Sequence, residues 1–299
     1  MSKTKFEGIM PALVTPFEQD NKTVNEQVTK ELIDLYLNQG AGGFYILGST
    51  GEGIVMSREE RERMCEISVK HVNKRKPVIC HIASINYNEM IELAKHAERV
   101  GADAVAAIPP AILHYTADDI YNYYKKLAQN VNIPVIVYYF PGAQAAMSPE
   151  LIARICEIDN VTGVKWSANN YYAMMRLKDM THGEINIING PDEMLIQGLS
   201  AGADAGIGAT YNAMLPEFVK IYDFFKMGNM KDALETQIKV NRIINSMINY
   251  EVIPSVKYAV TLLGYNVGNA TYPMKTLSEQ EKIMFEKEIR ANGWPFGQI

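Results

Sequence analysis

The feature that most constrains this chain is the regular alternation of short apolar runs with amphipathic stretches, from one end almost to the other. The runs fall at residues 9–15, 43–47, 77–82, 104–108, 134–139, 161–165, 185–189 and 205–208. Each is short enough for a buried strand, and the stretches between them carry the 3.6-residue period of helices. Strands that alternate with helices build βαβ units, which pair as a parallel sheet with helices outside. Eight such units at spacings of roughly 25–35 residues predict a (β/α)8 TIM barrel, whose usual length is about 250 residues. An open, doubly wound sheet is the alternative, because periodicity does not reveal closure.

The chain has 299 residues, more than a barrel needs. From about residue 229 the pattern is helical only, with candidates at 230–250, 254–263 and 277–290 and a stop at Gly264. The expected organisation is therefore a barrel over 1–228 and a helical extension over 229–299 packed on it as one domain. Local signals agree. Ser57 with Glu60 and Ser278 with Glu281 have capping-box spacing, Ser148–Pro149 is an N-cap with proline at the first helical position, and Gly40 and Gly101 follow apolar-periodic runs as stops.

Composition narrows the function classes. Hydrophobic residues make up 47% and charged residues 21%, which suits a chain with a large core, and the net charge is −5. A mildly acidic chain without a basic cluster is a poor binder of nucleic acid or anionic lipid. The N-terminus lacks the apolar core of a secretory signal. The uncharged stretch between Lys126 and Glu150 is cut by Pro134, Pro141 and Pro149 into pieces too short to span a bilayer. Cys65, Cys80 and Cys156 are widely spaced and odd in number, so they read as small buried residues of a reducing, cytoplasmic compartment. The five histidines have no metal-ligand spacing, and no redox-cofactor motif is present, so neither metal nor cofactor is expected.

In a barrel the chemistry belongs at the C-terminal ends of the strands and in the loops that follow them. The sixth run ends VTGVKWS, where alternation puts Gly163, Lys165 and Ser167 on one face and Val164 and Trp166 on the other. Lys165 then points into the barrel, where desolvation favours a neutral amine able to attack a ketone; a solvated lysine at a strand end is the plain alternative. The fifth run ends VIVYYFP, so one of Tyr138 and Tyr139 faces the axis, either as a proton relay or as core volume. GSTGE, with Ser49 and Thr50, offers hydroxyls and backbone N–H groups to a carboxylate, and lacks the Gly-Lys-Ser/Thr of a P-loop. Asp192 and Glu193 in INGPDE suit either a helix start or sugar hydroxyls. Small residues in GIGATYN let a ligand approach the backbone near Gly208.

In combination, GSTGE after strand two, a tyrosine ending strand five and G-V-K ending strand six resemble the N-acetylneuraminate lyase and dihydrodipicolinate synthase superfamily. The resemblance runs from GIMPALVTPF to the C-terminal helices. Serine in GSTGE, the NG-P-DE segment and GIGATYN place the pattern nearest the N-acetylneuraminate lyases. It implies a class I aldolase that splits N-acetylneuraminate reversibly into pyruvate and N-acetylmannosamine. Lys165 would form the Schiff base and Tyr138 would move the proton. Ser49 and Thr50 would hold the carboxylate, and Ser167, Gly190, Asp192, Glu193 and Gly208 would meet the rest of the substrate. It also implies a homotetramer.

Four positions depart from the pattern. The synthases' arginine falls on Ala143, the loop tyrosine after strand four on Ile112 (with Tyr115 nearby), the lyases' serine on Ala209, and a loop glycine near Ala145. These departures leave room for a lyase of another 2-keto-3-deoxy sugar acid or a synthase-like enzyme. A sugar-acid sensor without activity is the reading from another class; it has no need of an imine-forming lysine.

Overall fold

The computed structural model describes residues 6–142 and 147–294. Its strands are β1 (Gly8–Pro11), β2 (Phe44–Ile46), β3 (Val78–His81), β4 (Ala104–Ala107), β5 (Val135–Tyr139), β6 (Val161–Trp166), β7 (Asn186–Asn189) and β8 (Ala205–Gly208). The helices between and after them are α1 (Glu26–Asn38), α2 (Arg58–Val72), α3 (Tyr87–Val100), α4 (Ala117–Ala128), α5 (Pro149–Cys156), α6 (Tyr171–Met180), α7 (Leu195–Ser200) and α8 (Tyr211–Lys226). Three more follow: α9 (Met230–Asn249), α10 (Val252–Leu262) and α11 (Glu279–Ala291).

All strand pairs are parallel, in the order β1-β8-β7-β6-β5-β4-β3-β2. The remaining seam lies between β1 and β2. A parallel bridge from Ala12 to Tyr45 and a 2.8 Å bond from the Leu13 N–H to the Tyr45 carbonyl close it. The molecule is a TIM barrel with C-terminal helices, and the open-sheet alternative falls away.

Strand alternation sorts the side chains into two shells. Met10, Tyr45, Ile79, Ile136, Ile188 and Ile207 fill the barrel interior. Phe44, Ile46, Val137, Val164 and Trp166 face the helical layer. At the N-terminal end, the backbone N–H of Phe6 donates to Asn186 Oδ1 (2.9 Å) and the Asn186 amide donates back to the Phe6 carbonyl (3.0 Å).

Strand ends differ from expectation where the backbone turns. The first run extends only to Pro11 as strand, and β2 stops at Ile46 because Leu47 is left-handed (φ 61°). Helix caps follow the sequence with one correction. Ser148, Ser278 and Gly101 cap as expected, but the Ser57–Glu60 box is only half made. Ser57 accepts from the Glu60 N–H, whereas the Glu60 carboxylate is taken by the N–H of Val24 at 2.6 Å. Thr116 and Asp119 form a complete box at α4 that the sequence reading does not single out. Among the described residues no helix is long and apolar enough to cross a membrane. The three cysteines are buried and in no disulfide.

Candidate active site

Lys165 stands near the C-terminal end of β6, paired in register with Tyr138 of β5 and Ile188 of β7. Its side chain points into the barrel and is 6% exposed. The Nζ atom lies 3.8 Å from the centroid of the Tyr138 ring, 5.2 Å from that of Tyr45, and 3.4 Å from Ser167 Oγ. Among the described residues no carboxylate is within ion-pair distance of it, so its near partners are aromatic faces and a hydroxyl. The solvated-lysine alternative is excluded by the burial.

The choice between the two neighbouring tyrosines is resolved in the same way. Tyr138 is buried beside Lys165, while Tyr139 packs on Trp166 with ring centroids 4.3 Å apart on the helical side. Burial pushes the Tyr138 phenol up, but the Lys165 charge and hydrogen bonding by Lys165, Ser49 and Ser167 outweigh it and leave the group below its ordinary value. A phenol poised this way exchanges a proton more readily than a free tyrosine.

Ser49 and Thr50 follow β2 in a turn closed by bonds from the Glu52 N–H to the Ser49 carbonyl (3.1 Å) and from the Gly53 N–H to the Gly48 carbonyl (3.3 Å). Among the described residues, the N–H groups of Ser49 and Thr50 have no protein acceptor. With two hydroxyls beside them, and Ser49 hydrogen-bonded to Tyr138, they are donors of the kind an anion accepts from. The turn is fixed from outside by Thr15, whose hydroxyl donates to the Gly51 carbonyl at 2.6 Å.

Asp192 opens a one-turn 3-10 helix, Asp192–Met194, and its carboxylate is buried. Oδ2 accepts from both the N–H and the hydroxyl of Thr210, each at 2.7 Å. Burial pushes Asp192 up to about 7, against the Thr210 bonds and the Lys165 charge, with the Glu193 charge adding to the rise. Glu193 is half-buried beside it.

The two glycines of the expected site have defined jobs. A Cβ on Gly208 would sit 2.0 Å from Asp192 Oδ1, so the space over that glycine belongs to the Asp192 carboxylate. A Cβ on Gly190 would sit 2.1 Å from Ser167 Oγ, and the Gly190 N–H already donates to the Trp166 carbonyl (2.8 Å). Of the Gly190 backbone, the carbonyl is the group without a partner among the described residues.

Three further residues frame the site beyond those that the sequence singles out. Tyr45 faces inward by alternation on β2, and its buried hydroxyl has no partner among the described residues. The strand period carries the signal for it. His81, at the end of β3, stands edge-on to Tyr138 with ring centroids 5.9 Å apart. Its Nδ1 lies 3.1 Å from the Leu47 carbonyl and its Nε2 accepts from the Ile108 N–H at 3.4 Å, so the ring is a neutral Nδ1–H tautomer bridging three loops. Thr210 holds Asp192. His81 lies in no motif, and Thr210 lies within GIGATYN, where only the structure shows that its hydroxyl and N–H serve Asp192.

Comparison with known proteins identifies the family. Residues 5–292 match the model of the dihydrodipicolinate synthetase family. The chain belongs to that family. It is 30% identical over 286 residues to N-acetylneuraminate lyase of Rhizobium meliloti (strain 1021), covering 95% of each chain. It is 31% identical over 280 residues to 4-hydroxy-tetrahydrodipicolinate synthase of Geotalea uraniireducens (strain Rf4), covering 93% of this chain and 96% of that one. The structure of Proteus mirabilis N-acetylneuraminate lyase superposes with a TM-score of 0.92 at 27% identity, covering 97% of this chain and 100% of that one.

Of the positions that depart from the family pattern, Ile112 is exposed on a groove of about 300 Å3 that it lines with Ile54, Val55, Ile85 and Tyr115. Ala209 follows β8 directly. Ala143 and Ala145 lie outside the described residues. Among the described residues no group of three or more His, Cys, Asp or Glu side chains is placed to hold a metal ion.

Proposed function

We propose that the protein is a class I aldolase that cleaves N-acetylneuraminate reversibly to pyruvate and N-acetylmannosamine. The observation that carries the reading is the buried Lys165 amine facing Tyr138 at 3.8 Å and Ser167 at 3.4 Å, at the end of the barrel where such folds place their chemistry. In this reading the Lys165 amine attacks the C2 carbonyl, and loss of water leaves a protonated imine. Tyr138 takes the proton of the C4 hydroxyl, the C3–C4 bond breaks, and its electron pair moves into the imine to give an enamine while the aldehyde departs. Tyr138 returns its proton to C3 of the enamine, and attack of water on the resulting imine releases pyruvate and restores the amine. Ser49 and Thr50 hold the substrate carboxylate; Ser167, the Gly190 carbonyl, Asp192 and Glu193 meet the hydroxylated tail. Gly208 acts by making room for Asp192.

A second reading is a lyase of another 2-keto-3-deoxy sugar acid, favoured by Ala209 and Ser167 at positions where the lyases carry other hydroxyl residues. Pyruvate release from a panel of sialic and aldonic keto acids separates the two: the preferred substrate names the enzyme, and no release from any member sinks both. The reading includes a homo-oligomer, a tetramer by resemblance. The exposed apolar side chains of Ile54, Val55, Ile85 and Ile112 on one groove support self-association there. Ile112→Asp should lower the assembly state seen by sedimentation.

A further inference from the structure

We propose that Gln237 and Asn241 of α9 are positioning residues that set how the site handles the hydroxylated end of its substrate. The inference rests on the reading above, in which Asp192 and Glu193 meet that end. The segment carrying both acids is a single 3-10 turn, and so short a turn leaves its carbonyls without partners of its own. Both carbonyls are claimed by α9. Gln237 Nε2 donates to the Asp192 carbonyl at 3.1 Å, and Asn241 Nδ2 donates to the Glu193 carbonyl at 2.9 Å. The two amides are also joined, Gln237 Nε2 donating to Asn241 Oδ1 at 2.8 Å, while Gln237 Oε1 accepts from the Ile196 N–H at 3.3 Å.

Gln237 is buried, so every polar atom it carries is committed to this network. The turn is therefore gripped on two sides. Thr210 holds the Asp192 carboxylate from the barrel mouth, and the α9 amides hold the backbone from behind. The helical extension is in this way part of the specificity machinery without lying in the barrel. A shift of the turn displaces both acids from the substrate's hydroxyls and leaves Lys165, on a different strand, where it is.

Two variants test this on the full-length protein. Gln237→Glu keeps the acceptor for Ile196 but sets an oxygen against the Asp192 carbonyl. Asn241→Ala, at a half-buried position, is the milder change and removes only the bonds of that amide. Val240→Ala, on the same helix with its side chain fully buried, serves as a control for loosening α9. Pyruvate trapping by borohydride should be equal in all four proteins. KM for the best-cleaved keto sugar acid should rise about tenfold in Gln237→Glu and less in Asn241→Ala, with kcat moving little, as misplacement of binding groups predicts. If Val240→Ala raises KM as much at an equal loss of melting temperature, or if neither amide variant changes KM, the proposal is overturned. A wild-type protein that traps pyruvate but cleaves no keto sugar acid overturns the functional reading and this inference together, whereas normal cleavage with unmoved variants overturns this inference alone.

Discussion

The ammonium of Lys257 in α10 lies 2.6 Å from Oε1 of Glu52 in the GSTGE turn, and both side chains are buried to within 1% of complete. Glu52 Oε2 accepts from the N–H and hydroxyl of Thr271, each at 2.6 Å, and Lys257 also donates to the Asn269 carbonyl at 2.9 Å. Burial pushes Lys257 down and the Glu52 charge opposes it. The pair ties the C-terminal helices to the turn that carries Ser49 and Thr50. Breaking one side of such a pair leaves a buried charge without compensation, at about 3–5 kcal/mol. Lys257→Met should therefore lower stability by that order, and Lys257→Met with Glu52→Gln should recover part of it. Equal loss in the single and double variants, read by denaturant unfolding, removes the pair from the account.

The imine makes a covalent prediction. Incubation with pyruvate and borohydride should add a reduced pyruvyl group at Lys165 alone, found by peptide mass spectrometry. Lys165→Arg should abolish it, since a guanidinium does not give up its proton to become a nucleophile. Label on Lys178 or Lys257, or none, rules out the assignment.

Tyr138→Phe keeps the ring against Lys165 and removes the hydroxyl that Ser49 and Ser167 address. Turnover should fall by about 10² or more, the usual worth of a lost general acid–base group, with melting temperature nearly constant. An unchanged rate moves the proton relay elsewhere.

How far the sequence reaches is visible in these residues. Lys165 and Tyr138 are legible because strand alternation and the barrel rule fix their direction from local sequence alone. Seam closure is not, since it depends on Ala12 meeting Tyr45 across the whole barrel. The Gly208 reading needs the partner that fills its space, Asp192. Glu52 with Lys257 and Gln237 with Asp192 join positions 205 and 45 residues apart, and no spacing rule links them. His81 has no metal-ligand spacing to mark it, and its place at the end of β3 is the informative fact.

His81 carries a pH prediction for stability. Burial lowers it from 6.5 to about 3, helped by the charges of Arg61 and Lys165 and opposed by its bond to Leu47. As pH falls below 6.5 the unfolded chain takes up a proton that the folded chain refuses until about 3. Its contribution is thus complete above 6.5 and is lost on the way down, at up to about 1.4 kcal/mol per pH unit. His81→Gln should flatten that part of the wild-type stability profile between about pH 6.5 and 5. Parallel profiles for the two proteins would refute the buried neutral ring.

Asp192 carries a pH prediction for activity, because burial holds its carboxyl at about 7 despite the two bonds from Thr210. A carboxylate accepts a hydroxyl's hydrogen bond more strongly than a neutral carboxyl does, by roughly 1.5–3 against 0.5–1.5 kcal/mol for ordinary bonds. The site should therefore gain affinity for the hydroxylated tail as Asp192 loses its proton, so kcat/KM for the long substrate should rise from about pH 6 to 8. Asp192→Asn should flatten that rise and lower efficiency about ten- to a hundredfold, and Glu193→Gln should lower efficiency too and, by removing a charge that raises Asp192, move the rise toward lower pH. Stability runs the other way: the unfolded chain loses this proton from about 3.8 while the folded one keeps it to about 7, so the carboxyl's contribution declines between those values and gains nothing above them. An activity rise that merely tracked stability would therefore have the wrong sign. Trapping of pyruvate at Lys165, which involves no tail, provides the internal control. A pH profile in Asp192→Asn that still rises through neutrality would show that another group governs it, and unchanged kinetics in both variants would leave the acids as the start of a turn and nothing more.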